Sequence, residues 1–231
     1  MLQIPELPLL MKAEMVDETL RNIQPKTNTR RTRGLKIINE SPDEWKFDRI
    51  QDGYSDGRPR FVFLDRNGDP IGIKCPYGAP GFHLWVRETF YIDHVDYIGK
   101  PLADLPPIED GIYYRVDGEC CDQIPECQCA SPEVGKPAWR PSIFMPRWAS
   151  RITLDILDIR VERLNDISEE DAVAEGCEAW EKIDYSCLPP VPDRDITARE
   201  EFQKLWERIN GAGSWKANPW VWVVVFKRLT P

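Results

Sequence analysis

Apolar and polar positions alternate along several short segments of the chain, and this alternation predicts β-strands. The longest such run is ITLDILDIRVERL at 152–164, whose period of two is typical of a half-buried strand. The segments RFVFLD and PIGIK flank Asn67-Gly68, a pair typical of a tight hairpin turn. Further strand candidates are HLWVRETF, GIYYRV and NPWVWVVVFKRL. The pattern therefore predicts a structure in which sheets dominate.

Helical spacing of apolar residues occurs in three short segments between these strands. AEMVDETLRNI carries the first of them and is followed by Pro25, which ends it. SEEDAVAEG begins with a capping-box pattern at Ser168 and Asp171, and TAREEFQKLWERING begins with the same pattern at Thr197 and Glu200. A glycine closes each of these two segments, as it often does at helix C-termini. Three short helices are expected.

The order of these elements predicts an α+β fold, a small mixed β-barrel with short flanking helices. The strand candidates are too numerous for a parallel α/β fold of 231 residues. An irregular segment at about 92–147, with clustered proline and cysteine, is typical of a long loop-rich insertion. We expect a single domain that covers residues 1–231 and contains this insertion.

Net charge restricts the class of partner. The chain carries −9 with a pI near 4.9, which argues against tight non-specific binding to duplex DNA, because such binding depends on many phosphate contacts. Residues 21–36 nevertheless contain six basic residues and no acid, so a local anion site is compatible with the acidic chain. No export signal and no apolar run of about 20 residues is apparent, so a cytoplasmic protein with reduced cysteines and no membrane partner is expected.

Candidate chemistry centres on PKTNTRRTRG at 25–34. Lys26 and Thr29 are close enough in sequence to meet in a turn or a short helical segment. A lysine whose pKa is lowered by neighbouring arginines can accept the proton of a threonine hydroxyl, which is otherwise a weak nucleophile. A carboxylate from elsewhere in the chain would complete such a set. A solvated basic loop is the simpler interpretation of the composition, and both interpretations stay open at this point.

A wider set of motifs resembles the ASCH-domain proteins, a PUA-like β-barrel superfamily with longer relatives in phages and prophages. The motifs are MVDETLRNIQPKTNTRR, LWVRETF, ISEEDAVAEG and WVVVFKRL. In the small N4-acetylcytidine amidohydrolases of this family, a Lys-x-x-Thr-x-Arg motif supplies a catalytic lysine and threonine, and a glutamate completes the set. Lys26, Thr29 and Arg31 fit that motif. The run LNDISEEDAVAE aligns the glutamate with Glu175.

This resemblance implies a hydrolase of linear amides that cleaves the exocyclic N4-acyl amide of cytosine nucleosides or bases. It implies that Lys26 is the base, Thr29 the nucleophile and Glu175 the proton donor. In an alternative route water attacks directly and Thr29 only orients the substrate. No cofactor is implied, and the expected partner is a small N4-acylcytosine nucleoside.

Two other classes of function stay open. Many ASCH-domain proteins carry glutamate at the position of Thr29 and are thought to bind RNA, so a non-catalytic module for RNA or a modified nucleotide is the main alternative. A phage accessory or structural protein is the third possibility, because phage relatives are often described in that way. A threonine at position 29 favours the enzyme.

Five further side chains are candidate substrate contacts. The resemblance implies that the LWVRE strand borders the pocket, so that Trp85, Arg87 or Glu88 contacts a base or sugar. Arg30 and Arg31 are the basic side chains next to the proposed nucleophile. A structural pair between Arg87 and Glu88 is an equally good interpretation of that strand.

Four cysteines cluster within ECCDQIPECQC, at Cys120, Cys121, Cys127 and Cys129. Four thiolates could bind zinc, but the spacing lacks the C-x2-C pair that forms a favourable chelate turn. Reduced cysteines in a loop are therefore favoured over a zinc site. No metal is expected to take part in the reaction.

Overall fold

The chain folds into two compact units, each built from separated segments. The computed structural model describes residues 4–20, 25–52, 54–92, 107, 111–117, 139–178 and 196–229. Unit 1 comprises Met1–Leu20, Phe82–Asp155 and Arg228–Pro231, and unit 2 comprises Arg21–Gly81 and Ile156–Lys227. The three residues predicted to be catalytic all belong to unit 2. The single-domain prediction stays a prediction.

Strands outnumber helices among the described residues. The strands are β1 (Glu6–Leu10), β2 (Asn28–Arg31), β3 (Lys46–Gln51), β4 (Arg60–Leu64), β5 (Pro70–Lys74), β6 (His83–Arg87), β7 (Phe90–Ile92), β8 (Ile112–Tyr114), β9 (Thr153–Arg163) and β10 (Trp220–Leu229). The helices are α1 (Ala13–Leu20), α2 (Lys36–Asn39), α3 (Glu169–Ala174) and α4 (Ala198–Asn210). This content confirms the predicted α+β class. Each described helix is too short or too polar to cross a membrane.

Unit 1 contains a parallel strand pair and a small hairpin. Strand β1 pairs in parallel with β6, and β6 pairs antiparallel with the first residues of β9. Strands β7 and β8 form a two-stranded antiparallel sheet. The hydrophobic core of unit 1 contains Phe90, Ile92, Met145 and Ala149. Residues from both described ends of the predicted insertion therefore pack into the core of this unit.

Unit 2 holds the strands that carry the predicted catalytic motif. Strand β10 pairs antiparallel with β2 and has β9 as its other neighbour. Strands β3, β4 and β5 form a separate antiparallel sheet, and the predicted hairpin turn lies between β4 and β5. Helices α3 and α4 bury Ala172, Phe202 and Trp206 against Val221 and Val223 of β10. The most apolar strand of the chain thus lies next to β2.

The sheets of the described residues are open. In the three-stranded sheet, β3 and β5 each have a neighbour on one side only, and β2 likewise ends the strand order of its own sheet. A closed barrel requires every strand to have two neighbours. The described strands therefore form no closed barrel, and the PUA-like barrel remains a prediction.

The segment after the first helix is a strand, whereas a turn or short helical segment was predicted there. Residues Asn28–Arg31 pair with Val225–Trp222, and the Phe226 amide donates to the Thr27 carbonyl at 2.8 Å. Strand formation depends strongly on the neighbouring strand, and the apolar β10 supplies one here. The motif is therefore displayed on an extended backbone.

The helix termini follow the predicted capping residues with one difference. Ser168 caps α3 by accepting from the Asp171 amide, and Thr197 with Glu200 forms a complete capping box at α4. The carboxylate of Asp171, however, contacts the side chains of Arg30 and Arg160. Asp171 is therefore tied to the strand that carries the motif.

Candidate active site

A buried ion pair joins the two ionisable residues of the predicted catalytic set. Lys26 Nζ contacts Glu175 Oε2 and also donates to the Glu175 carbonyl at 2.7 Å. Both residues are 2% exposed. Glu175 follows the last residue of α3, and Gly176, with a φ of 92°, lets the chain turn away directly after it. The C-terminus of α3 therefore presents Glu175 to Lys26.

Burial changes the acidity of Lys26. Removal from water lowers the pKa of the Lys26 ammonium, and the negative charge of Glu175 opposes this effect without cancelling it. The nearby Arg31 guanidinium lowers the pKa of Lys26 further. A lysine in these surroundings gives up its proton more readily than a lysine in water, which suits a general base.

Thr29 is completely buried and its hydroxyl is unpaired. The residue is 0% exposed, and its Oγ1 makes no hydrogen bond with any described residue. Strand alternation places Thr29 and Arg31 on one face of β2, opposite Asn28 and Arg30. The expected hydrogen bond between Lys26 and Thr29 is therefore not formed in this structure. Lys26 donates to Glu175 instead.

Arg30 is surrounded by three carboxylates. Its Nη2 donates to Glu162 Oε1 and to Asp171 Oδ2, both at 2.6 Å, and its Nη1 donates to Glu175 Oε1 at 3.3 Å. The Arg30 side chain is 0% exposed. Sequence reasoning made Arg30 a substrate contact, whereas in the structure its guanidinium binds carboxylates of the same unit.

Arg31 lies within the electrostatic field of the ion pair. Burial lowers the pKa of Arg31, and the charges of Tyr77 and Glu175 oppose that change. Burial also raises the pKa of Tyr77, against the effect of Arg31. Tyr77 is therefore a further polar neighbour of the site, and the sequence offered no signal for it.

Several acidic and basic residues of the site were not predicted. Asp171 lies in the first turn of α3 and Glu175 at its C-terminus, four residues later, and Arg160 and Glu162 alternate on β9, so the members of each pair share a face. Arg160 contacts Asp171 and lies 3.3 Å from Glu162 Oε2. These two spacings were the signals in the sequence that could have identified the pairs. Asp171 also fits a helix-capping pattern, and that interpretation obscured the first spacing.

The residues of the LWVRE strand belong to unit 1. Trp85 is 7% exposed, and the Arg87 guanidinium carbon lies 4.6 Å from its ring centroid, so the two side chains share one face of the strand. Arg87 Nη1 also donates to the Ile143 carbonyl at 3.2 Å. The proposed contacts of Trp85, Arg87 and Glu88 with a base or sugar stay predictions.

Glu88 is buried and forms an ion pair, but its partner is the partly exposed Arg151. Nε and Nη2 of Arg151 donate to the two Glu88 oxygens, both at 3.0 Å. The same guanidinium donates to Asp117 at 2.6 and 2.8 Å and lies over the Tyr114 ring. Burial raises the pKa of Glu88, and Arg151 opposes this change. The Glu88 carboxylate therefore depends on the positive charge of Arg151 to offset the effect of its burial.

Arg151→Met is expected to lower the free energy of unfolding by about 1–3 kcal/mol, because it leaves the buried Glu88 carboxylate without its hydrogen-bond donors. Arg147→Met is the matched control, since Arg147 pairs with Glu6 at 2.6 Å on the surface. That exposed pair contributes about 0–1 kcal/mol. Urea unfolding of both variants measures the difference, and equal losses would contradict the importance of the buried carboxylate.

The cysteine cluster lies outside the described residues, so the zinc question stays a prediction for Cys120, Cys121, Cys127 and Cys129. In the part of the chain that the structure describes, no group of three or more histidine, cysteine and acidic residues is arranged to hold a metal. Cys75 is a free buried thiol, and burial raises its pKa to about 12. This thiol is therefore unreactive at neutral pH.

No protein-family model, curated protein or solved structure matches the chain. The likeness to ASCH-domain proteins therefore rests on the motifs alone. Evidence for function comes from the contacts within unit 2, where the motif lysine and the aligned glutamate meet although they are 149 residues apart in sequence.

Proposed function

We propose that the protein is an ASCH-domain amidohydrolase with a PUA-like fold, which removes the acyl group from N4-acylated cytosine nucleosides or bases. The observation that carries this proposal is the buried ion pair of Lys26 and Glu175. Ionisable groups with perturbed pKa values cluster at functional sites, and Lys26, whose pKa is lowered by burial, meets the second position that the motifs single out. The hydroxyl of Thr29 on β2 has no hydrogen-bond partner among the described residues.

The ion pair can supply both a base and an acid. Moving a proton from the Lys26 ammonium to the Glu175 carboxylate gives an amine beside a carboxylic acid. Burial disfavours charged groups and so reduces the cost of this neutral form. In that form Lys26 accepts a proton and Glu175 donates one, which are the roles that amide cleavage requires.

The proposed reaction proceeds in two stages. The Lys26 amine takes the Thr29 hydroxyl proton while Oγ1 bonds to the acyl carbonyl carbon, and the carbon–nitrogen bond then breaks as N4 receives a proton from Glu175. Water next attacks the Thr29 ester. Glu175 takes the proton of that water, and Lys26 returns a proton to Thr29 Oγ1. The products are cytidine, or cytosine, and a carboxylic acid that ionises in water.

The alternative route omits the ester. Water attacks the acyl carbon directly, Lys26 takes the proton of that water, and the hydroxyl of Thr29 holds the substrate by a hydrogen bond. In either route substrate binding gives Thr29 Oγ1 the polar partner that it lacks among the described residues. Catalytic hydrogen bonds are often completed only in the substrate complex.

The distribution of the basic residues supports a small substrate over RNA. Lys26 and Arg30 are each 2% exposed, so the basic stretch presents mainly Arg33 and Lys36 to solvent. Binding of an RNA backbone depends on several exposed cations along its path. The interior charges of this stretch serve an enclosed site better than an extended surface.

Release of cytidine from N4-acetylcytidine and N4-benzoylcytidine, monitored by ultraviolet absorbance, tests the proposal. Wild type is expected to turn over at least one of these compounds. Lys26→Arg and Glu175→Gln are expected to abolish turnover, because guanidinium cannot act as a base and an amide cannot donate the carboxyl proton.

Thr32→Ala serves as the control, since Thr32 is a half-buried threonine just after the same strand. Its turnover is expected to match that of wild type. Full turnover by Lys26→Arg would overturn the role of the lysine. Absence of turnover by folded wild type would overturn the function, and RNA titrations would then test the binding-module alternative.

A further inference from the structure

Each oxygen of the Glu175 carboxylate has a cationic partner of its own. Oε2 contacts Lys26 Nζ, and Oε1 accepts from Arg30 Nη1 at 3.3 Å. All three side chains are at most 2% exposed. The plane and orientation of this carboxylate are therefore fixed from two sides. Arg30 is the side chain that fixes it on the side away from Lys26.

Arg30 is itself held from several elements. Its Nε donates to Glu162 of β9 at 3.0 Å, and its Nη2 donates to Asp171 of α3. Its guanidinium carbon lies 5.7 Å from the ring centroid of Phe202 on α4. Planar guanidinium groups give directional contacts to carboxylates, and a lysine cannot reproduce them at several acceptors. Arg30 thus links the Glu175 carboxylate to residues of β9 and α3, which fix the direction of its guanidinium.

We propose that Arg30 is a positioning residue that holds the Glu175 carboxylate in the orientation needed to exchange a proton with Lys26. This inference rests on the proposed function. It replaces the predicted role of Arg30 as a substrate contact, since its side chain is fully buried and its nitrogen atoms donate to three carboxylates. The expected effect of losing Arg30 is therefore on kcat, with KM retained.

Arg30→Gln is expected to lower kcat about a hundredfold and to leave KM unchanged, because a misplaced catalytic group costs turnover while the substrate contacts stay. Arg30→Lys keeps the charge but cannot bridge three carboxylates, so its kcat is expected to fall as well. Arg163→Gln is the control, because Arg163 lies on the same strand β9 as Glu162 but pairs with Asp43 at 2.7 Å. Its kcat is expected to match that of wild type.

Two readouts separate this inference from the proposed function. If wild type turns over and kcat of Arg30→Gln matches that of wild type, or the loss is confined to KM, the positioning role is overturned and the proposed hydrolase function is unaffected. If wild type has no turnover, the proposed hydrolase function is wrong. The nitrogen NMR resonance of Lys26, assigned by its loss in Lys26→Met, then tests the coupling directly. An unchanged titration of that resonance in Arg30→Gln overturns the inference.

Discussion

Lys26→Met is expected to lower the free energy of unfolding by about 3–5 kcal/mol, although it replaces a charged side chain with an apolar one of similar length. The reason is that Glu175 remains 2% exposed and loses the cation that contacts its Oε2. Arg30, at 3.3 Å from Oε1, compensates only the other oxygen. Urea unfolding followed by tryptophan fluorescence measures this loss.

Two further variants make the Lys26 prediction specific. Lys36→Met carries the same substitution at an exposed position of α2, and is expected to change the free energy of unfolding by less than about 0.5 kcal/mol. Lys26→Met combined with Glu175→Gln removes both charges, so it is expected to recover most of the lost stability without any turnover. A double variant as unstable as Lys26→Met alone would contradict a pairwise explanation.

Thr29→Val is expected to reduce turnover by about a thousandfold or more and to leave the fold intact or more stable. Valine has nearly the shape of threonine and suits a strand, and it removes a buried hydroxyl that has no hydrogen-bond partner among the described residues. An unsatisfied buried hydroxyl costs about 1–3 kcal/mol, so a gain of about 1 kcal/mol in the free energy of unfolding is expected. Parallel kinetic and unfolding measurements test both effects.

Thr29→Ser distinguishes the two routes for the reaction. A serine retains the nucleophile, so measurable turnover is expected, and mass spectrometry of rapidly quenched enzyme should show one acyl group on residue 29. Turnover of Thr29→Val close to that of wild type would exclude the nucleophile role. A marked loss of stability in Thr29→Val would instead show that the hydroxyl has a partner in the folded chain.

Short-range patterns of the sequence correctly predicted the elements whose side chains follow a clear period. The alternation at 152–164 and the hairpin at Asn67-Gly68 both correspond to observed strands. The first turn of α4 was predicted in detail, because a capping box is a purely local arrangement between Thr197 and Glu200. Such features depend on the nearest few residues alone.

Elements that depend on distant partners were missed. Strand β1 contains Pro8, which local rules count against a strand, and it exists because it pairs in parallel with β6 at the end of the strand order. Strand β2 similarly depends on β10, almost 200 residues later. Neither pairing leaves a local signal in the sequence.

At the candidate site, too, the local motif was informative and the contacts with distant residues were not predicted. The contact of Lys26 with Glu175 agrees with the expectation from the motifs, and the partners of Arg30 were not expected. A motif identifies residue types, but the direction of a side chain depends on the strand register. Once Asn28–Arg31 is extended, Arg30 and Thr29 point to opposite faces, and a hydrogen bond between Lys26 and Thr29 is no longer the simplest arrangement.

The burial of Lys26, Thr29 and Glu175, each at most 2% exposed, has a consequence for affinity. Under the proposed function, a nucleoside reaches these atoms only in an open conformation that exposes them, whereas the described conformation, called closed here, buries them. The apparent dissociation constant then equals the intrinsic constant divided by the fraction of molecules that are open. If about one molecule in a hundred is open, binding weakens about a hundredfold, so a variant that loosens the closed form binds its substrate more tightly while it unfolds more easily.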